Sequence, residues 1–260
     1  METRGEIAFA RFLTERSISF EYEPSLTNCP KRPDFRIAWQ GANCFFEVKD
    51  RENVDDDVLF PNIRELPDRG LPEVPPPYDW IRGKIRKARS KFGSLKGSPC
   101  ALVLFPATGF SSDLEEPDFV VGSMYGDAAM RVGRDASHGI VCLKNGKMFE
   151  PGTRLPHNRT ISALITLRML DLAGARRRLV RRGETVVPRA DSLRALGFEW
   201  SDEPQMGVIV WENVFATTAL PADLFRGPLD ERWGGNQQRV RCTHLGAAVA
   251  ECHRAFAKAT

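Results

Sequence analysis

The sequence has no uninterrupted run of about 18 apolar residues, the length a helix needs to span a bilayer. Its start, METRGEIAFARF, is charged from the second residue and lacks the apolar stretch of a secretory signal. No membrane association is expected, and a cytoplasmic location is. Paired cysteines are also missing. The six cysteines, at 29, 44, 100, 142, 242 and 252, include no CxxC, which argues against an iron–sulfur cluster or a zinc ribbon. They read as reduced core residues. Cys242, His244, Cys252 and His253 carry zinc-ligand chemistry, but Cys252 and His253 are adjacent on an expected helix and diverge by about a third of a turn. Zinc binding there is not expected. No helix-turn-helix or zinc finger announces a sequence reader, and no internal repeat is present.

What the chain does have is the composition of a globular protein. Its 260 residues are 42% hydrophobic and 27% charged, enough for a full core in one large domain. The net charge of +3 identifies no partner, but its distribution is uneven. From Ile81 to Lys96 there are seven basic residues and no acid, and Arg176 to Arg182 contains five arginines. Stripes of this kind suit a polyanion, although solvated helix faces produce them as well.

Periodicity gives a coarse order of elements. Gly5 to Glu15 reads as a helix and Ser19 to Glu23 as a short strand. Residues 51 to 78, acidic and rich in proline, read as a surface excursion. Tyr78 to Leu95 is a helix with the apolar stripe Ile81, Ile85, Ala88, Phe92 and Leu95, ended by Gly97-Ser98-Pro99. The run CALVLF, 100 to 105, suits a buried strand. Further strands are expected at Phe119 to Val121, Ile140 to Leu143 and Met206 to Phe215, with a turn at Asn145-Gly146. Asn158 reads as the cap of a helix through ISALITLRMLDLAGARRRL. A loop over Leu220 to Asn236 and a final helix over Leu245 to Ala257 complete the expectation.

Chemistry concentrates in RPDFRIAWQGANCFFEVKD, residues 32 to 50. Alternation makes this a β-hairpin: Phe35, Ile37 and Trp39 form one set against Asp34, Arg36 and Ala38, and Cys44, Phe46 and Val48 alternate with Phe45, Glu47 and Lys49. A two-residue turn at Gly41-Ala42 puts Asp34 opposite Lys49, Arg36 opposite Glu47 and Phe35 opposite Val48. A slip of one residue would mix apolar and charged faces, so the pattern itself selects the facing. Asp34 and Glu47 then lie on a diagonal, close enough for their carboxylates to converge on one hard divalent cation, with the Val48 carbonyl as a third ligand. The same face permits a blander arrangement, a solvated Asp34–Lys49 ion pair.

Pro33-Asp34 followed by Glu47-Val48-Lys49 resembles the PD-(D/E)xK nuclease superfamily. The resemblance spans roughly residues 5 to 105, from the acid-bearing first helix through the hairpin and basic helix to a buried strand. It implies a restriction-endonuclease-like α/β fold: a mixed central sheet flanked by helices, with residues 1–150 as nuclease core and 151–260 as a C-terminal elaboration on the same domain. It further implies Mg²⁺- or Mn²⁺-dependent hydrolysis of phosphodiester bonds, DNA being the expected substrate, leaving a 5′-phosphate and a 3′-hydroxyl. Asp34 and Glu47 would bind metal and Lys49 would assist the attacking water. In this superfamily the first helix often lends an acid to the site, as Glu6 would, and equally a first-turn acid serves the helix dipole. Lys84, Lys87 and Lys91 are expected to contact phosphates, though lysines also snorkel over a core edge. A homodimer is compatible with cutting both strands. The alternative from a different class is an inactive nuclease-like fold serving as a nucleic-acid-binding or assembly module.

Overall fold

The computed structural model describes residues 2–26, 31–51, 77–106, 112–115, 117–126, 128–132, 138–142, 146–148, 157–170, 205–227 and 230–234. Its elements are α1 (Arg4–Glu15), β1 (Glu21–Tyr22), β2 (Phe35–Trp39), β3 (Ala42–Arg51), α2 (Pro77–Phe92), β4 (Cys100–Pro106), a 3₁₀ turn (Ser112–Glu115), α3 (Pro117–Tyr125), β5 (Ala128–Val132), β6 (His138–Cys142), β7 (Ala163–Leu170), β8 (Gln205–Glu212) and β9 (Glu231–Trp233). Seven strands form one mixed sheet in the order β1-β2-β3-β4-β7-β8-β9, while β5 and β6 pair separately. The centre, β3-β4-β7, is parallel; β1-β2, β2-β3 and β7-β8 are antiparallel, and β8-β9 is parallel. Strands from beyond residue 150 thus continue the sheet begun by the hairpin. The fold is α/β, with helices on both faces of the sheet.

Two apolar layers explain why these segments pack as they do. Under α1, Phe9, Phe12 and Leu13 meet Phe35, Phe46 and Val48, and Phe9 stands edge-on to Phe35 with ring centroids 5.2 Å apart. On the opposite face, Ile81, Ile85, Ala88 and Phe92 of α2 meet Phe45, Leu102 and Leu104, with Val120 and Met124 of α3 beside them. Full burial of each large side chain contributes about 1.5–3 kcal/mol. Because β3 alternates between these layers, Phe45, Glu47 and Lys49 all belong to the α2 side.

The hairpin keeps its expected facing but not its register. Phe35 pairs with Phe46, Arg36 with Phe45 and Trp39 with Ala42, a shift of two residues. Gln40 and Gly41 form the turn, with φ of 46° and 81°. Positive φ at both central positions defines the type I′ turn that matches strand twist, and glycine takes the second position without steric cost. A shift by an even number leaves every side chain on its own face and changes only its neighbours.

Two segments take the opposite structure to the one expected. Phe119 to Val121 lies within α3, where Pro117 occupies the first helical position, which tolerates its missing N–H. The apolar run after Asn158 is the strand β7, not a helix. A strand buried on both faces shows no alternation of polarity, so such a run cannot be told from a helix by periodicity. Asn158 therefore caps no helix; its side-chain oxygen accepts from the Ile161 N–H at 3.2 Å in the bend that leads into β7. The expected loop at 220 to 236 contains the edge strand β9. Residues 52–76, Asn145, the arginines at 176–182, the final helix and the zinc-type group lie outside the described residues. No helix among the described residues is long and apolar enough to cross a membrane. Cys44 and Cys100 are buried and in no disulfide, and burial lifts the Cys44 thiol to about 11.

Candidate active site

Asp34 sits just before β2, fixed through its backbone. Its N–H donates to the Phe46 carbonyl at 3.0 Å, and its carbonyl accepts from the Glu23 N–H at 2.8 Å. The side chain turns toward β3, where Oδ2 accepts from the Val48 N–H at 2.7 Å. Glu47 extends from β3 toward α2 and is only 4% exposed. The two carboxylates, one from the residue preceding β2 and one from β3, meet on the face that α2 covers.

Two amines complete the group. Lys49 Nζ lies 2.7 Å from Glu47 Oε1 and 3.8 Å from Asp34 Oδ2, and donates to the Val48 carbonyl at 2.8 Å. Lys91, from the last turn of α2, places Nζ 3.0 Å from Asp34 Oδ1 and in an ion pair with Glu47 Oε2. Formally two negative and two positive charges share one small, largely buried volume. Burial pushes the Glu47 carboxyl above its ordinary range, the Asp34 charge adds to this, and the two lysines offset it only in part. Burial alone would lower Lys91, but its bonds to Glu47 and Asp34 outweigh that and hold its pKa above the ordinary value.

The geometry brings Asp34, Glu47, Lys49 and the Val48 carbonyl together. It separates the other candidates. Glu6 is buried, but its oxygens serve α1 and β1: it accepts from the Thr3 N–H at 2.8 Å in a capping box and from the Tyr22 hydroxyl at 3.3 Å. Burial and the adjacent Glu6 carboxylate push the Tyr22 phenol up to about 12. Lys84 lies over the Trp80 ring, 5.2 Å from its centroid, and Lys87 is exposed on the outer surface of α2. Lys91 parts company with them. Reading it only as a phosphate contact missed its place between the carboxylates; the available signal was its position beside Phe92, on a helix whose apolar stripe must cover the face bearing Glu47.

The donor set suits a hard cation: two carboxylates and a backbone carbonyl, all oxygen. Among the described residues no group of three or more His, Cys, Asp or Glu side chains that could hold a metal gathers at one point. Thr166 and Arg168 of β7 belong to other networks: Thr166 donates to the Leu114 carbonyl at 2.6 Å, and Arg168 pairs with Glu231 at 3.0 Å. Comparison with known proteins gives no match to any family model, curated protein or solved structure.

Proposed function

We propose that this protein is a Mg²⁺- or Mn²⁺-dependent nuclease of the PD-(D/E)xK type, acting on DNA and built on a restriction-endonuclease-like version of the α/β sheet. The observation that carries the reading is the convergence of Asp34 and Glu47 with Lys49 on one half-buried face, at the spacing the motif requires.

Asp34, Glu47 and the Val48 carbonyl would hold the cation, which supplies charge neutralisation at the phosphoryl oxygens and a more acidic water. Lys49 is placed to orient the attacking water and to offset the charge that develops on the phosphate. Water attacks phosphorus and gives up a proton to solvent as the new P–O bond forms and the bond to the 3′-oxygen breaks. That oxygen leaves as a hydroxyl after taking a proton from solvent. Outside the site, Arg86 and Lys87 are exposed on α2, a surface suited to backbone phosphates.

A second reading has its own supporting observation. With Lys91 added, the carboxylates are charge-balanced without any metal, as in a structural ion network that supports a binding module. Incubation of purified protein with supercoiled plasmid, linear DNA and RNA in Mg²⁺, Mn²⁺ or EDTA separates the two. The nuclease reading expects metal-dependent products that disappear in Asp34→Ala and Glu47→Ala. Tight binding with no cleavage across that panel favours the module.

A further inference from the structure

The four oxygens of the carboxylate pair divide among three partners. Asp34 Oδ2 accepts from the Val48 amide, and Glu47 Oε1 faces Lys49. Asp34 Oδ1 and Glu47 Oε2, one oxygen from each residue, both face the Lys91 ammonium. Glu47 Oε2 is fully buried, and the Lys91 ammonium is the cation it faces. A cation bridging the two residues through the oxygens not engaged by the strand or by Lys49 would need the position that this ammonium fills. Lys91 reaches it from a helix whose neighbouring amines stay outside, and only 19% of its side chain is exposed.

We infer that Lys91 is a displaceable occupant of the cation position: its ammonium and a divalent cation hold Asp34 Oδ1 and Glu47 Oε2 in alternation, and cation entry releases the amine toward the neighbouring phosphate. The inference deepens the metal site of the proposed nuclease and rests on that reading. In the cation-free protein Lys91 faces one buried carboxylate, Glu47, and one half-buried carboxylate, Asp34, and offsets their mutual repulsion. Once released, it sits at the end of the exposed basic surface of α2, beside the site, as a positioning residue for the phosphate rather than a ligand competitor.

Calorimetric titration with Ca²⁺, together with acetylation of the native full chain read by peptide mass spectrometry, tests this. Lys91→Met should bind Ca²⁺ about tenfold more tightly than wild type, within the coupling range of groups in direct contact. Lys87→Met, which removes an exposed charge from the same helix, should bind as wild type does. In the wild-type protein the acetylation rate of Lys91 should rise along the Ca²⁺ binding curve while that of Lys87 stays flat. Equal Ca²⁺ affinity in Lys91→Met and Lys87→Met, or a Lys91 amine unmoved by Ca²⁺ whose binding is lost in Asp34→Ala, overturns the inference, as does the absence of Ca²⁺ binding. Should Lys91→Met fail to fold, the acetylation result in wild type decides alone. Release of Lys91 in a protein that cuts nothing leaves the inference standing and removes the nuclease reading; cleavage with Lys91 unmoved does the reverse.

Discussion

Lys49 Nζ stands 2.7 Å from Oε1 of Glu47, two residues earlier on the same face of β3, and bonds the carbonyl of the residue between them. The amine is therefore held at the carboxylate pair by its own strand. Lys49→Ala should lower the single-turnover cleavage rate by on the order of 10²–10³, as loss of one transition-state donor does. Binding of nucleic acid in Ca²⁺ should change little, because the interaction strengthens only as charge develops. A folded variant that cuts at the wild-type rate would take Lys49 out of the chemistry.

Glu47 gives the stability curve a signature in acid. Its folded pKa is raised above the ordinary 4.5, so the folded state holds the proton more tightly than the unfolded chain. The protonated group's contribution is fully present below the ordinary value and is lost as pH rises through the folded pKa. The stability of wild type minus that of Glu47→Gln should accordingly fall as pH rises from the ordinary value through the folded one, then level off. Urea midpoints across that window measure it. A difference that grows with pH would mean that the two lysines, not burial, govern this carboxyl.

Salt dependence tests the outer surface of α2. Lys84→Ala and Lys87→Ala should each weaken nucleic-acid binding and flatten the plot of log affinity against log salt by about one unit per lost phosphate contact. Lys84 has its ring contact with Trp80 to give up in reaching a phosphate, so Lys87 should show the larger effect. Unchanged slopes in both variants would leave this stripe as a solvated face.

Gly5 makes a prediction that runs against helix propensity. Its N–H donates to both oxygens of Asp50 at 3.0 Å, tying the start of α1 to the end of β3. A Cβ there would lie 2.1 Å from Asp50 Oδ1. Alanine normally favours a helix over glycine by about 1 kcal/mol, yet Gly5→Ala should destabilise the protein, and by less when Asp50→Ala is also present. Chemical denaturation of the single and double variants checks the sign; a stabilised Gly5→Ala would show that α1 does not need this close approach.

The sequence carries faces better than partners. Alternation separated Phe35 and Phe46 from Glu47 and Lys49, because one misplaced residue would expose the aromatics. It could not fix which residues oppose each other, since slips by two preserve the pattern and only the positive φ of Gln40 and Gly41 decides. The stripe of α2 was legible because its outer face is polar; β7 was not, because both its faces are buried. Asp34, Glu47 and Lys49 were legible from a hairpin. Lys91 was visible as a charge beside the apolar stripe of α2, but its partners lie across the fold, and spacing along the helix does not name them.

That separation has a kinetic consequence. Asp34 and Val48 are bonded across 14 residues, whereas Lys91 reaches Asp34 across 57. Closing the longer loop costs about 1.2 kcal/mol more in chain entropy, and hairpins form within about 1–10 μs. The hairpin can therefore close early with two carboxylates against one amine, an excess of negative charge that opposes its burial. Docking of α2 buries Phe92 against β3 and β4 and delivers the fourth charge in the same step. The last apolar layer and the electroneutrality of the site form together, so a chain that has not finished its core has not finished its site.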